Sequence, residues 1–478
     1  MHSHRSSATR SSGNGADGGG DDSRSRATPS PRGGAPNLPG ITVARQVAAE
    51  VCAALRSGEL LDGAFERRVG VLDARDRRWT QELLWGMLRR RAWLDALLDA
   101  RVRGGLGRLD EDVLDLLRLG SYQLLFMGSV PAYAAIAQTV ELAKRRHGLG
   151  GSKLANAVLR RVDRERDELD VLIPSDPVEA LALSHSHPAW LVNRWVERWG
   201  VGGTEQLLRA NNREAALTLR PAGVGPAELA AALESSGVRL SPAPLAADSL
   251  RLSGAGSITD LGAFREGLFY MQDPAATLVT TYADIPADAV VADLCAAPGG
   301  KALELARSAR MVIASDRSYA RLQRVTENVR RVGVNHPRAQ MHTMVADARS
   351  PGLREVDAVL VDAPCTGTGT FRRHPDARWR LQVSDVAVMA ALQREILDGA
   401  AEIVRPGGLL IYSTCSLEPE ENEEQVEAFL ATHPGWLLEP PPVGTVPDEV
   451  MDDGLLRVLP QEHDTDGSFA ARLRRVEA

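Results

Sequence analysis

Cysteine is scarce in this chain of 478 residues: only Cys52, Cys295, Cys365 and Cys415 occur. Their spacing is not that of a zinc site and no histidine accompanies them at ligand spacing, so no metal is expected. A disulfide framework is out of keeping with so long a chain, and the thiols are read as free, as in a cytoplasmic protein. No apolar run approaches the roughly 20 residues of a membrane span, so no membrane association is expected. Positive charge is also in deficit, with 56 Lys and Arg against 63 Asp and Glu and a formal net charge of -7. That balance argues against a protein that coats nucleic acid, because phosphate contacts need clustered Lys and Arg. No internal repeat is found, which sets aside repeat architectures.

What is present divides the chain. An apolar content of 44 % is enough for several cores, and the length exceeds one compact domain. Residues 1-40 are Ser, Gly, Asp, Arg and Pro with almost no large apolar side chain, and read as a disordered tail. Residues 41-170 carry apolar positions at helical spacing (Val47, Val51, Ala54, Leu55, then Val113, Leu116, Leu117), with Pro131 breaking the chain before another helix, and predict an all-α domain. Within 41-165 there are 21 Lys and Arg against 16 Asp and Glu, a local balance of +5. The clusters Arg89-Arg90-Arg91 and Lys144-Arg145-Arg146 fit either a phosphate-binding surface or a solvated helix face. Residues 171-267 mix a tryptophan-rich helix, a second helix at GPAELAAALESSG and a short strand at RLSGAGSI, and predict a small α+β linker domain. Trp190, Trp195 and Trp199 are spaced to share one helical face, which favours a core over base stacking. Residues 268-478 turn to short apolar runs followed by helices, AVVADLCA, RMVIASD, VDAVLVDA and GGLLIYSTC, the pattern of buried parallel strands in an α/β domain.

Chemistry gathers at the ends of those strands. Asp293-Leu-Cys295-Ala296-Ala297-Pro298-Gly299-Gly300-Lys301 joins a strand to a helix, and its glycines let the backbone approach a ligand. It is neither a phosphate loop nor a GxGxxG turn, so a nucleoside triphosphate or NAD is disfavoured. Asp316 ends the second strand, where a carboxylate can accept both ribose hydroxyls, and Asp347 follows the third, suited to an adenine edge. Asp362 lies in Val361-Asp-Ala-Pro-Cys365-Thr-Gly-Thr-Gly369, and Cys415 lies in Tyr412-Ser-Thr-Cys415-Ser, so two thiols converge on one cleft beside a carboxylate. Buried thiols are commonly inert, but a pair flanking an acid points to nucleophilic chemistry. A thiolate adding to carbon 6 of a cytosine would make carbon 5 nucleophilic, with Asp362 hydrogen-bonding or protonating N3. Phe371-Arg-Arg-His-Pro-Asp376 combines two arginines with a turn and suits RNA phosphates near a flipped base, or else an Arg/Asp surface loop. The run Glu418 to Glu424 reads as a helix N-terminus rather than a metal site.

DLCAAPGGK, VDAPCTGTGTFRRHPD and STCSLEPEENE, in that order, resemble the Sun/Fmu family of 16S rRNA cytosine-5 methyltransferases, and the segment from about residue 41 resembles the NusB-like RNA-binding domain of bacterial members. The resemblance implies a multidomain protein: an all-α NusB-like domain, a small α+β linker domain and a Rossmann-like methyltransferase domain. It implies S-adenosyl-L-methionine as cofactor, 16S ribosomal RNA as partner and a monomer. By the same resemblance the loop Cys295 to Lys301 cradles the methionine part of the cofactor, with Cys295 itself structural, Asp316 binds ribose, Asp347 the adenine side, and Asp362 lies between cofactor and base. Cys415 would be the nucleophile and Cys365 would assist product release. DNA cytosine methyltransferases use the cysteine of a Pro-Cys as nucleophile, so the residues alone leave the two thiols tied. Ala302 departs from the pattern, which usually has a hydroxyl residue after the lysine. A non-catalytic RNA-binding assembly factor would have no need of both cysteines and Asp362, a protein methyltransferase would not need paired thiols, and a DNA enzyme would not explain the helical domain.

Overall fold

The computed structural model describes residues 40–169, 171–254, 257–333 and 340–477. The tail expected over 1-40 lies, Gly40 apart, outside the described residues.

The N-terminal domain is all helical: α1 Val43–Arg56, α2 Leu61–Glu66, α3 Ala74–Arg89, α4 Arg91–Asp99, α5 Glu111–Phe126 and α6 Ala132–Arg164, the last interrupted at Gly148. Local chemistry sets the starts. Asp73 and Asp110 cap α3 and α5 by accepting the N–H groups of Asp76 and Asp112, and Pro131 stands at the N-cap of α6. The periodic residues Val47, Val51, Val113, Leu116 and Leu117 are all buried in one core.

Helices α7 Pro177–His185 and α8 Ala189–Asn211 follow, then a four-stranded antiparallel sheet in the order β2-β3-β1-β4. Its strands are β1 Leu217–Pro221, β2 Arg239–Pro242, β3 Leu250–Ser253 and β4 Phe269–Met271, covered by α9 Pro226–Glu234 and α10 Gly262–Arg265. The fourth strand lies beyond the 171-267 range expected for this domain, because the pairing of Arg220 with Tyr270 draws the next segment into the sheet. The tryptophans are core residues. Trp195 is buried, and with Trp190 and Trp199 it packs against Leu191, Leu207, Phe371 and Leu417.

The C-terminal domain is built on a nine-stranded sheet in the order β11-β12-β13-β9-β8-β5-β6-β7, with β10 also paired to β13. The strands β5 Val290–Asp293, β6 Met311–Asp316, β7 Gln340–Val345, β8 Val356–Asp362 and β9 Val404–Thr414 run parallel. The strands β10 Trp436–Leu438, β11 Met451–Asp452, β12 Leu455–Val458 and β13 Ser468–Arg475 add antiparallel pairing on the far side of β9. In β8, Ala358 and Leu360 pack into one core while Val359 and Val361 pack into the other, which explains an apolar run in place of alternation. Leu360→Ala in such a site would cost about 2–5 kcal/mol. Helices α11 Pro274–Ala283, α12 Gly300–Leu305, α13 Tyr319–Val332, α14 Ala377–Arg380, α15 Val383–Glu402, α16 Glu423–Thr432 and the short α17 Pro460–His463 complete the domain.

The helical domain is fastened to the C-terminal domain through aromatic side chains and through arginines whose charge pattern left a phosphate-binding surface and a solvated helix face both open. Trp85 donates its indole N–H to Arg373 O at 2.9 Å, and Trp379 donates to Leu88 O at 2.9 Å. Arg89 donates to Arg372 O at 3.1 Å, and the Arg91 guanidinium lies 5.5 Å from the Trp379 ring. Only Arg90 of that cluster is exposed, over the ring of Phe126. Arg372 is buried against Asp464 and Thr465 O, and Arg373 joins Asp273 to Asp466. The expectation that Arg372 and Arg373 meet RNA phosphates is therefore corrected: buried carboxylates and carbonyls hold both guanidinium groups, although Arg372 Nε lacks a hydrogen bond. Lys144, Arg145 and Arg146 are likewise paired, with Glu141 and Asp112. Among the described residues no helix is long and apolar enough to cross a membrane.

Candidate active site

The order β7-β6-β5-β8-β9 sets out the expected site residues along one edge of the sheet. Asp347 follows β7, Asp316 ends β6, the loop Cys295 to Lys301 follows β5, Asp362 ends β8 and Cys415 follows β9. The order of strands reverses between β5 and β8, the place where open α/β sheets bind ligands.

The loop after β5 is shaped by backbone. Gly299 has a φ of 108°, which a side chain would strain, and a Cβ on Gly300 would lie 2.3 Å from Gln272 Oε1. The Ala296 N–H donates to Ser315 O at 2.8 Å, and the Ala297 and Pro298 carbonyls accept from Arg321 and Asn328. Helix α12 then begins without a side-chain cap, its N-cap being Gly299. Burial and the Asp293 charge push the Cys295 thiol up, in keeping with a structural role. Asp316 is buried and accepts the Ser318 N–H at 2.8 Å, with Arg321 at 3.5 Å. Asp347 is half exposed and grips Arg349 at 2.7 Å, which holds its carboxyl down at about 2.

Asp293 is a residue that sequence reading placed in the motif but not in the site. It is completely buried, and neither carboxylate oxygen has a hydrogen-bond partner; the Cys295 N–H approaches without closing a bond of normal geometry. Burial, then the Asp362 charge, raise its carboxyl to about 7. An orphaned buried acid at a strand end is the signal that reveals it.

On the other side of the switch, the register pairs Asp362 with Ser413. Lys301 Nζ is 2.7 Å from Asp362 Oδ2, and the Ser413 hydroxyl donates to Oδ1 at 3.0 Å. Although burial opposes it, the Asp362 charge keeps the Lys301 ammonium protonated, above its ordinary value. The same register brings the next turns together, with Cys365 Sγ 3.4 Å from Cys415 Sγ. Gly369 is required here: it donates to Cys415 O at 2.9 Å, and a Cβ would meet that oxygen at 2.7 Å. The hydrogen bond to Cys415, burial and the nearby Glu421 charge all push the Cys365 thiol well above its ordinary value. The acidic run supplies the start of α16, as expected, and no group suited to a metal is found among the described residues.

Three family comparisons cover these domains in turn. Residues 42–164 match the NusB family, 187–259 the ferredoxin-like domain of RsmF/B-like methyltransferases, and 281–474 the 16S rRNA methyltransferase RsmB/F family. Ribosomal RNA small subunit methyltransferase B of Vibrio cholerae is 35 % identical over 430 residues, covering 87 % of this chain and 94 % of the relative. The Pseudomonas putida protein of the same description is 34 % identical, with 91 % and 99 % covered. Among solved structures, PH0851 superposes with a TM-score of 0.77 at 26 % identity, covering 92 % of this chain and 99 % of that one.

Proposed function

As the chain belongs to the 16S rRNA methyltransferase RsmB/F family, we propose that it transfers a methyl group from S-adenosyl-L-methionine to carbon 5 of a cytosine in 16S ribosomal RNA, through an adduct of Cys415 Sγ with carbon 6. The observation that carries this reading is the pair of thiols 3.4 Å apart beside the Lys301–Asp362 ion pair.

The residues present fit the cofactor. The orphaned Asp293 offers a buried anion to a cationic group, Asp316 stands where a ribose is held, and Asp347 stands beyond it on the adenine side. The loop Cys295 to Lys301 brings backbone close to the ligand. S-adenosylmethionine, when bound, supplies an electrophilic methyl group. Cys415 Sγ adds as thiolate to carbon 6, and the electron pair displaced toward N3 takes a proton relayed from Lys301 through Asp362. Carbon 5 then carries the enamine electron density that methylation needs. For release, the carbon 5 proton passes to water, its electron pair forms the 5,6 double bond, and the carbon–sulfur pair returns to Cys415. The N3 proton goes back to the Lys301–Asp362 pair. Cys365, held as a thiol, offers its S–H to the departing Cys415 sulfur and stabilises the leaving thiolate.

The test is transfer of labelled methyl to 16S rRNA by wild type, Cys415→Ala and Cys365→Ala, with a denaturing gel for trapped protein–RNA adduct. Cys415→Ala should lose transfer and adduct together, by at least about 10⁴-fold in rate. Cys365→Ala should accumulate adduct. Exchanged outcomes would swap the thiols, and if neither substitution matters the covalent route is wrong.

A further inference from the structure

The loops that carry the two thiols are tied to one carboxylate that the chemistry above does not use. Glu421 is fully buried at the turn before α16. Its Oε1 accepts the Thr366 N–H at 2.9 Å and Gln393 Nε2–H at 3.0 Å, and its Oε2 accepts the hydroxyls of Thr366 and Ser416. Thr366 follows Cys365 and Ser416 follows Cys415, so one side chain holds both loops. Gln393 also donates to Pro364 O at 3.0 Å, and Asn422 donates to Ser416 O at 2.9 Å. No lysine or arginine forms an ion pair with Glu421 among the described residues, so hydrogen bonds alone offset the burial of its charge. Its negative end faces Cys365 and opposes ionisation of that thiol.

We propose that Glu421 is a positioning residue that clamps the Cys365 loop to the Cys415 loop, so that the Cys365 thiol stands against the nucleophile's sulfur when the methylated base leaves. This role rests on the covalent reading above. Without the clamp, Thr366 loses its two contacts to the carboxylate, Cys365 drifts from the 3.4 Å contact, and the departing thiolate loses its hydrogen bond. The Cys415 loop keeps its bonds to Asn422, Thr414 and Gly369 when the carboxylate is removed, and Glu421 forms no hydrogen bond to Lys301 or Asp362, so the loss falls mainly on release.

Wild type, Cys365→Ala, Glu421→Ala and Glu421→Gln are compared with S-adenosylmethionine and 16S rRNA for the ratio of denaturation-resistant adduct to turnover, alongside melting temperature and cofactor affinity. Glu421→Ala should raise the ratio by about 10²-fold, the scale of an ångström-sized misplacement, with cofactor affinity as in wild type. Glu421→Gln keeps an acceptor for the Thr366 N–H and should fall between. A merely structural role lowers adduct and turnover together and leaves the ratio unchanged, which overturns the clamp. If Glu421→Ala does not fold, Thr366→Val removes one hydroxyl contact and must still raise the ratio; no rise overturns the clamp as well. If Cys365→Ala traps adduct and the Glu421 variants do not, the clamp alone fails, whereas no adduct in Cys365→Ala removes the assignment of Cys365 to release, and the clamp with it.

Discussion

The seam between the helical and C-terminal domains and the edge of the large sheet both gather charged side chains, and they treat them in opposite ways. At the seam the arginines are held mostly by backbone carbonyls and carboxylates, although the Nε atoms of Arg89, Arg372 and Arg378 lack a hydrogen bond. Arg378, completely buried, reaches Ser186 O, Asn211 O, Asn212 Oδ1 and Phe371 O, and Arg373 reaches Asp273, Asp466 and Ala216 O. Burial, then Arg89, lower the Arg378 guanidinium to about 9, so it is held by carbonyl dipoles without a carboxylate in direct contact. At the sheet edge Asp293 has no hydrogen bond at all, and Asp362 is a third exposed. A buried cation gripped by several acceptors ties the structure together, whereas a buried carboxylate with neither oxygen partnered is a place for a charge the chain does not supply.

The largest expected effect tests the seam. Arg373→Ala leaves Asp273 and Asp466 buried without their shared cation, and should destabilise the protein by about 3–5 kcal/mol at pH 7. Burial and the Asp273 charge already raise the Asp466 carboxyl. With Arg373 gone the folded state binds protons more readily than the unfolded one, so the variant should recover stability as pH falls from 7 to 5. A melting series that shows the same loss at both pH values would mean the two carboxylates are not what Arg373 stabilises.

At the sheet edge the same linkage belongs to the wild type and the substitution removes it. Asp293 has a folded carboxyl at about 7 against an ordinary 3.8. Between those values the folded state holds the extra proton, so this group's contribution to stability declines as pH rises, by about 1.4 kcal/mol per pH unit. Asp293→Asn removes that decline. Cofactor-free variant and wild type should therefore draw apart from pH 5 to pH 7, the variant becoming relatively more stable, and run parallel above. The same substitution should weaken S-adenosylmethionine binding, because the buried anion is lost. Parallel stability curves across the whole range would show that Asp293 is not orphaned in solution.

How much of this could be read from sequence follows the same division. The strand ends were legible because apolar runs there close on Gly-rich turns that carry Asp and paired Cys together, and the register of β8 with β9 does the rest. Asp293 and Glu421 were not, since burial and hydrogen-bond count depend on what packs around them. The antiparallel strands β10 to β13 were missed for a related reason: short segments such as Trp436–Leu438 gain their conformation from pairing with β13. The arginines were left open between phosphate contacts and a solvated surface, and the buried seam is neither. Sequence shows that Arg89 and Arg372 are charged, but not that Trp85 and Trp379 bring the two domains into contact around them.

The smallest expected effect separates those two uses of arginine. Arg89 donates one hydrogen bond to Arg372 O, while its Nε is buried without a partner. Arg89→Gln should therefore cost about 1 kcal/mol, the worth of one such bond, read as a small fall in melting temperature. An arginine that contacts a phosphate would instead show itself in RNA binding, as a slope of log affinity against log salt reduced by about 0.7–0.9 on substitution. For Arg89→Gln that slope should not move. If it falls by a full ion while the melting temperature holds, the guanidinium leaves the seam when RNA arrives, and occupancy in the free protein is no guide to which charges are available to the substrate.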